Sequence, residues 1–221
     1  RNIIFEGKME SSCYIIDASS PGKCNNFDYD TFGGHIKFLY DFKNGRVEGA
    51  ELYHMGQQSD VGSYPLHFHM CKDTRNYTNK PYLKENSIHH TFARCITIHG
   101  THGILVKDNV CYRSLGHSYF LEDGGEKYNT FDGNMAIVTF KAKMITTDRT
   151  DPTSYWITNP LNDLINNVGA GGEGKGIWYI YPESPLGLSA TENFMAPQEA
   201  RRTAISLFKN NVVNGSESGF I

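Results

Sequence analysis

HGILVKDNVCYRSLGHSYFLED, residues 102–123, decides the fold class. His102 and His117 open two phrases fifteen residues apart that match position by position in chemical type, each with a short apolar run followed by a charged pair, Lys107-Asp108 and Glu122-Asp123. Runs this short do not make a helix, and apolar residues do not recur at helical spacing. Working outward, RNIIFEG, GGHIKFLYDF, YPLHFHM, NSIHH, CITIHG, NTFDGN, MAIVTF, SYWIT, GIWYIYP and FKNNVVN are similar short runs separated by Asn, Asp and Gly, the punctuation of strands. Phrases around Ile88, Val110 and Phe131 follow one another at 22 and 21 residues, a period that suits coiled rungs, and LINN and NNVVN repeat the pattern after insertions. The expected architecture is all-β, a right-handed parallel β-helix of the pectate-lyase-like kind, one domain over residues 1–221. Asparagines should ladder at its corners and glycines take left-handed turns. An antiparallel sandwich is the alternative, but tight hairpin signals are scarce, with Asn44-Gly45 the clearest. Insertions at 72–84, 141–153 and 183–202 are expected to bulge from one face and wall a groove.

Composition narrows the function. The chain has 221 residues, 39% of them hydrophobic, enough for a core. Lys plus Arg total 21 against 24 Asp plus Glu, a net charge of -3, so no basic field exists to hold nucleic acid. No apolar run is long enough to span a bilayer, and membrane contact by this segment is not expected. The chain opens abruptly at Arg1-Asn2-Ile3-Ile4 without a leader pattern, as an excised segment would. Its five cysteines include no C-x-x-C pair. Cys13 and Cys24 flank SSPGK and suit one bridge across a surface hairpin, with two unrelated thiols as the alternative. Cys95 and Cys111 sit in apolar runs and read as small buried hydrophobes. Asn76 and Asn214 are glycosylation sequons, about as many as chance supplies.

All nine histidines lie between His35 and His117. In YPLHFHM, strand alternation sends Leu66, Phe68 and Met70 to one face and His67 and His69 to the other, a geometry that can chelate a metal. A third ligand is expected from a neighbouring coil: His89, or else His117, Glu122 or Asp123. Imidazoles favour zinc or another transition metal over calcium. The alternative is histidines that only hydrogen bond to sugar hydroxyls or backbone. His67, His69, His89 and His117 are expected in the groove, and His35, His90, His99 and His102 at corners or in structural roles. His54 is assigned to neither group. In GHSYFLEDGGE, Tyr119 and Leu121 should pack inward while Glu122 faces the groove and Asp123 takes the coil corner. The fifteen-residue echo would set Lys107 and Asp108 on the adjacent coil. Paired carboxylates suit glycoside hydrolysis, so Glu122, Asp123 and His117 are the catalytic candidates. Corner caps and a Glu122–Lys107 ion pair are the structural alternative. A carboxylate-bearing glycan also needs cations and hydrogen-bonding or stacking groups, for which Arg94, Lys107, Asp108, Arg113 and Tyr64 are the candidates.

Longer phrases carry a resemblance. FDYDTFGGHIKF (27–38), AELYHMGQ (50–57), GSYPLHFHMC (62–71), SIHHTFARCITIHGTHGILVKDNV (87–110), LGHSYFLEDGGEKYNTFDGN (115–134) and NPLNDLINNVGAG (159–171) look like the hyaluronan-degrading family. That family includes the cell migration-inducing hyaluronan-binding protein and a cell-surface hyaluronidase. The likeness runs essentially end to end. It implies a central segment of a larger extracellular protein, a β-helix secreted or borne as the ectodomain of a single-pass membrane protein, that depolymerises hyaluronan, with calcium dependence in the membrane form. Cys13 and Cys24 match cysteines of the family's early loop. The chain departs where Ser118 replaces a usual Cys, where Cys111 replaces Gly, and over 146–155, which lacks a longer Cys-containing insertion. The expectation is an endo-acting hydrolase with hyaluronan as its partner. A polysaccharide lyase on the same scaffold and a non-catalytic hyaluronan-binding module are the alternatives.

Overall fold

A computed structural model describes residues 3–8, 31–58 and 60–221, and Cys13 and Cys24 lie outside them. Three parallel sheets wind around one core. The first holds Ile4–Glu6, Glu51–Tyr53, Ser87–Thr91, Val110–Leu115, Met135–Phe140, Val168–Gly172 and Val212–Asn214. The second holds Ile36–Leu39, Leu66–Asp73, Ile96–His102, Tyr119–Leu121, Thr153–Ile157, Lys175–Tyr179 and Ser218–Phe220. The third holds Arg46–Glu48, Tyr82–Lys84, Leu105–Lys107, Thr130–Asp132, Asp163–Ile165 and Leu207–Lys209. Each coil visits the three sheets in turn, giving a right-handed parallel β-helix. Among the described residues no helix is long and apolar enough to cross a membrane.

Asparagines set the register of the stack. Asn86 Nδ2 donates to Asn109 Oδ1 at 2.9 Å, Asn109 to Asn134 at 3.0 Å, Asn134 to Asn167 at 3.1 Å and Asn167 to Asn211 at 3.0 Å. Each carboxamide oxygen also accepts the preceding coil's backbone N–H, as Asn134 Oδ1 does from Asn109. The residue just before each rung has positive φ: Glu85, Asp108, Gly133, Asn166 and Asn210. At Gly133 a Cβ would strike Asp108 Oδ1, so any other residue at this left-handed corner would force the Asp108 carboxylate to shift. The inner phenols tie in: Tyr119 and Tyr155 stack 4.7 Å apart, and their hydroxyls donate to Asn109 O at 3.0 Å and Asn134 O at 2.8 Å.

Three expectations are corrected. The fifteen-residue echo does not stack: Leu105–Lys107 pairs with Tyr82–Lys84 and Thr130–Asp132 in the third sheet, whereas Tyr119–Leu121 pairs with Ile96–Ile98 in the second. Both phrases look alike because each carries an outward–inward–outward triplet entering a turn, Leu105–Val106–Lys107 and Phe120–Leu121–Glu122, on different faces. Of the 22- and 21-residue steps, only the first joins stacked strands of one sheet, and Phe131 stacks on Val106 of the third sheet. Finally, Cys95 and Cys111 are disulfide-bonded in the core, leaving Cys71 as the free buried thiol among the described residues.

The insertion at 141–153 clasps the second sheet through His117, which is fully buried. Thr153 N–H donates to His117 Nδ1 at 3.0 Å, and the ring lies against Phe120 and Trp156. Burial lowers the His117 pKa to about 3, although Asp148 opposes it. His102 is likewise lowered by burial, to about 4, and its Nδ1 accepts Lys127 N–H at 3.0 Å.

Asn134→Ala should cost about 2–3 kcal/mol by leaving buried backbone groups of two coils unpaired, read as a lower urea midpoint with unchanged slope. Both buried histidines fold uncharged, so their stability contribution is full above 6.5 and lost as pH falls from 6.5 toward about 4 and then 3. Urea midpoints should therefore drop steadily across that acid window, and less so in His117→Gln. A profile equally steep in that variant would remove His117 as a cause.

Candidate functional site

The outer face of the second sheet presents two rows. Strand alternation with Leu66, Phe68, Ile96, Ile98, Tyr119 and Leu121 buried in the core turns the intervening side chains outward. Register then aligns Lys37, His67, Thr97, Phe120, Trp156 and Trp178 in one row. The second row runs Leu39, His69 and His99, and Glu122 follows Leu121 onto it. Met70 does not continue the inward set: a bulge between His69 and Lys72 gives it positive φ, and Cys71 enters the core instead.

Three imidazoles meet on these rows. His67, His69 and His99 each offer a ring nitrogen, all within 4.8 Å of one another. His67 Nδ1–H donates to Gly62 O at 2.9 Å, which leaves the lone pair on a buried Nε2 with no hydrogen-bond partner. His99 Nε2–H donates to Asp123 Oδ2 at 2.6 Å, while its Nδ1 stands 3.2 Å from His69 Nδ1 and 3.5 Å from Glu122 Oε2. Burial disfavours charge on His99, but the Asp123 hydrogen bond and Glu122 outweigh it and raise its pKa. Burial holds His69 down to about 4, assisted by His99 and Lys37. Burial also raises Glu122, against the pull of His99 and Arg94, and its Oε2 has no hydrogen-bond partner.

Beneath Glu122 lies a buried clamp. Arg94 donates from Nε to Asp148 Oδ1 at 3.2 Å, from Nη2 to Asp148 Oδ2 at 2.7 Å and from Nη1 to Tyr64 Oη at 2.9 Å. Its guanidinium carbon sits 3.8 Å from the Phe120 ring centroid, and Nη1 reaches to 3.9 Å from Glu122 Oε1. Burial pushes the Asp148 carboxyl up, yet its neighbours hold it below the ordinary range; with His117 uncharged, Arg94 is the cation that does so. On the other side the insertion at 183–202 caps Asp123: Ser189 N–H donates to Asp123 Oδ2 at 3.0 Å and Leu186 N–H to its carbonyl at 2.8 Å. Two of the three insertions thus wall this face.

The structure gathers His67, His69, Glu122 and Asp123, and replaces several other candidates. His89 lies in the first sheet, bonded to Glu51 Oε1 at 3.0 Å and to His90 Nδ1 at 2.9 Å, away from the metal-competent group, whose third member is His99. His117 is sealed behind Phe120 and Trp156 rather than in the groove. Arg94 and Tyr64 are buried and mutually bonded, so they position Glu122 and do not present a surface to a glycan. Lys107 pairs with Asp132 at 2.9 Å on the third sheet, not with Glu122, and Asp108 forms the left-handed corner after it. Arg113 belongs to the first sheet, over the Tyr112 and Phe140 rings. Asp123 is committed to His99 and Ser189, which makes it an orienting group. His99 had a signal in the sequence: in CITIHG, inward Ile96 and Ile98 force it outward by the alternation used for His67 and His69. Asp148 had none, being brought in by a helix on an insertion, Thr146–Thr150.

The calcium that the family resemblance implies does not fit this donor set. Calcium takes six to eight oxygens, whereas the one group of three His, Cys or acidic ligands among the described residues is all imidazole.

Comparison with known proteins agrees with the fold. The CEMIP beta-helix family model matches residues 31–220. The chain is 40% identical to the cell surface hyaluronidase of Danio rerio over 98% of its length and 17% of that protein. It is 40% identical to the human cell migration-inducing and hyaluronan-binding protein over 96% of its length, again 17% of the relative. Fibrocystin-L of Mus musculus is 35% identical over 84% of the chain and 4% of the relative. The chain therefore spans about a sixth of the first two relatives. With the asparagine-laddered coils and a matched segment covering most of its length, the chain belongs to the CEMIP beta-helix family.

Proposed function

We propose that this chain forms the cleaving centre of an extracellular hyaluronidase that hydrolyses internal glycosidic bonds of hyaluronan. The observation that carries it is Glu122, a carboxyl with an unpartnered oxygen, partly buried on the outer face of the second sheet between His99 and Arg94 and beside the Phe120–Trp156–Trp178 row. Glu122 protonates the leaving glycosidic oxygen as the C–O bond breaks. A water attacks the anomeric carbon on the opposite side and releases its proton to solvent. Asp123 holds the His99 ring so that its Nδ1 faces this space. Lys37, in line with His67, supplies positive charge for a uronate. The names of two relatives, hyaluronidase and hyaluronan-binding, support this choice of glycan. The Cys95–Cys111 disulfide suits an oxidising, extracellular location.

Glu122→Gln should slow hyaluronan depolymerisation by at least about 100-fold, as loss of a general acid does, with the urea midpoint little changed. Size analysis of hyaluronan before and after incubation reads the result. Wild-type chain shortening in the variant would sink the assignment, binding without shortening by the parent protein would leave a glycan-binding module, and ultraviolet-absorbing unsaturated ends would mark a lyase.

A further inference from the structure

We infer that His67, His69 and His99 together bind one first-row transition-metal ion, with zinc the simplest occupant, leaving a coordination position open toward Glu122. The inference stands apart from the choice of glycan, because it concerns binding alone.

Tautomers point the lone pairs inward. Gly62 O takes the proton side of His67 and Asp123 that of His99, so His67 Nε2 is an unpartnered acceptor and His99 Nδ1 an acceptor turned toward His69 Nδ1. A carboxylate or carbonyl on the far nitrogen is the usual support of a metal-bound imidazole. His67 is wholly buried and its Nε2 meets no donor, an unpaired polar atom that is unfavourable unless something binds it. A tetrahedral ion with metal–nitrogen bonds of about 2.0–2.1 Å sets its ligand nitrogens roughly 3.4 Å apart. The His69–His99 pair already stands at 3.2 Å, and no separation in the group exceeds 4.8 Å. Charge permits the ion: Glu122 and Asp123 flank the group, against Lys37 on the neighbouring strand. Three imidazoles with a fourth place free are the pattern of a site that activates water rather than one that only staples a fold. Glu122 Oε2, which has no hydrogen-bond partner, stands 3.5 Å from His99 Nδ1.

The test is titration of the metal-stripped protein with zinc chloride by calorimetry, with cobalt(II) absorption as a geometric readout. The expected result is one zinc per chain, four-coordinate cobalt bands, and no calcium binding that the His69→Ala change removes. His69→Ala and His99→Ala should each weaken zinc by at least about 100-fold. Asp123→Asn should weaken it about 10–100-fold, the range for supporting groups. His89→Ala should leave it unchanged. Urea unfolding of each metal-free variant checks that it folds. If His99→Ala unfolds, cobalt in the unaltered protein decides, and octahedral or absent bands overturn the inference. Zinc binding at less than one equivalent, or binding lost with His89 and kept without His99, also overturns it. Neither result bears on whether hyaluronan is cut, which is read separately by chain length.

Discussion

The buried asparagine ladder is the constraint on which the rest depends. A parallel coil has no hairpin to fix its register, and a slip of one residue turns an entire strand inside out. Asn86, Asn109, Asn134, Asn167 and Asn211 prevent the slip, because each amide must meet the one above while its oxygen takes a backbone N–H from the coil below. The requirement is strict: a buried amide left half-bonded costs more than the net gain of a typical hydrogen bond. The left-handed residue before each rung bends the chain so that the amide can reach. Coil lengths are then free to differ. Successive rungs lie 23, 25, 33 and 44 residues apart, and the surplus residues leave as loops without disturbing the stack.

Register at the corner propagates to the outer face of the second sheet. Once Ile96 and Ile98 are held inward over Leu66 and Phe68, His99 has to stand beside His69, and Leu121 over Ile98 delivers Glu122 to the same row. Precision at Glu122 comes from below and from the loops. Arg94 cannot move without breaking two bonds to Asp148 and one to Tyr64, and Asp123 is pinned by Ser189 and Leu186. The two long insertions therefore have a structural logic. They supply polar partners that a flat sheet face lacks: Asp148 helps to hold buried Arg94 charged against its own desolvation, and Ser189 caps Asp123.

Alternation was readable wherever it stayed on one strand. YPLHFHM placed His67 and His69 correctly, and SYFLED placed Tyr119 and Leu121 inward with Glu122 outward, because period two needs only local geometry. It failed at Met70, where a bulge with positive φ inserts an extra residue, a backbone event that no side-chain pattern marks. Stacking was not readable from similarity of phrase. All outward–inward–outward triplets look alike, so the Lys107–Asp108 and Glu122–Asp123 phrases seemed to lie one above the other although they sit on different sheets. The choice of His89 over His99 followed from the same error: both are outward residues of adjacent short strands, and only sheet membership separates them.

By itself the sequence determined the class of fold, asparagine as the laddering residue and the outward set of strands that run without a bulge, since these rest on periodicity, turn chemistry and the hydrogen-bonding capacity of asparagine. Tertiary structure alone decided which outward residues meet. Its coils vary in length, so distance along the chain carries no information about height in the stack. Helix Thr146–Thr150 and the turn Gly187–Thr191 reach the site across 54 residues to Arg94 and 66 to Asp123. The Cys95–Cys111 bridge belongs to the same category: two buried thiols read as core hydrophobes until the winding of the coil brings their sulfurs into contact.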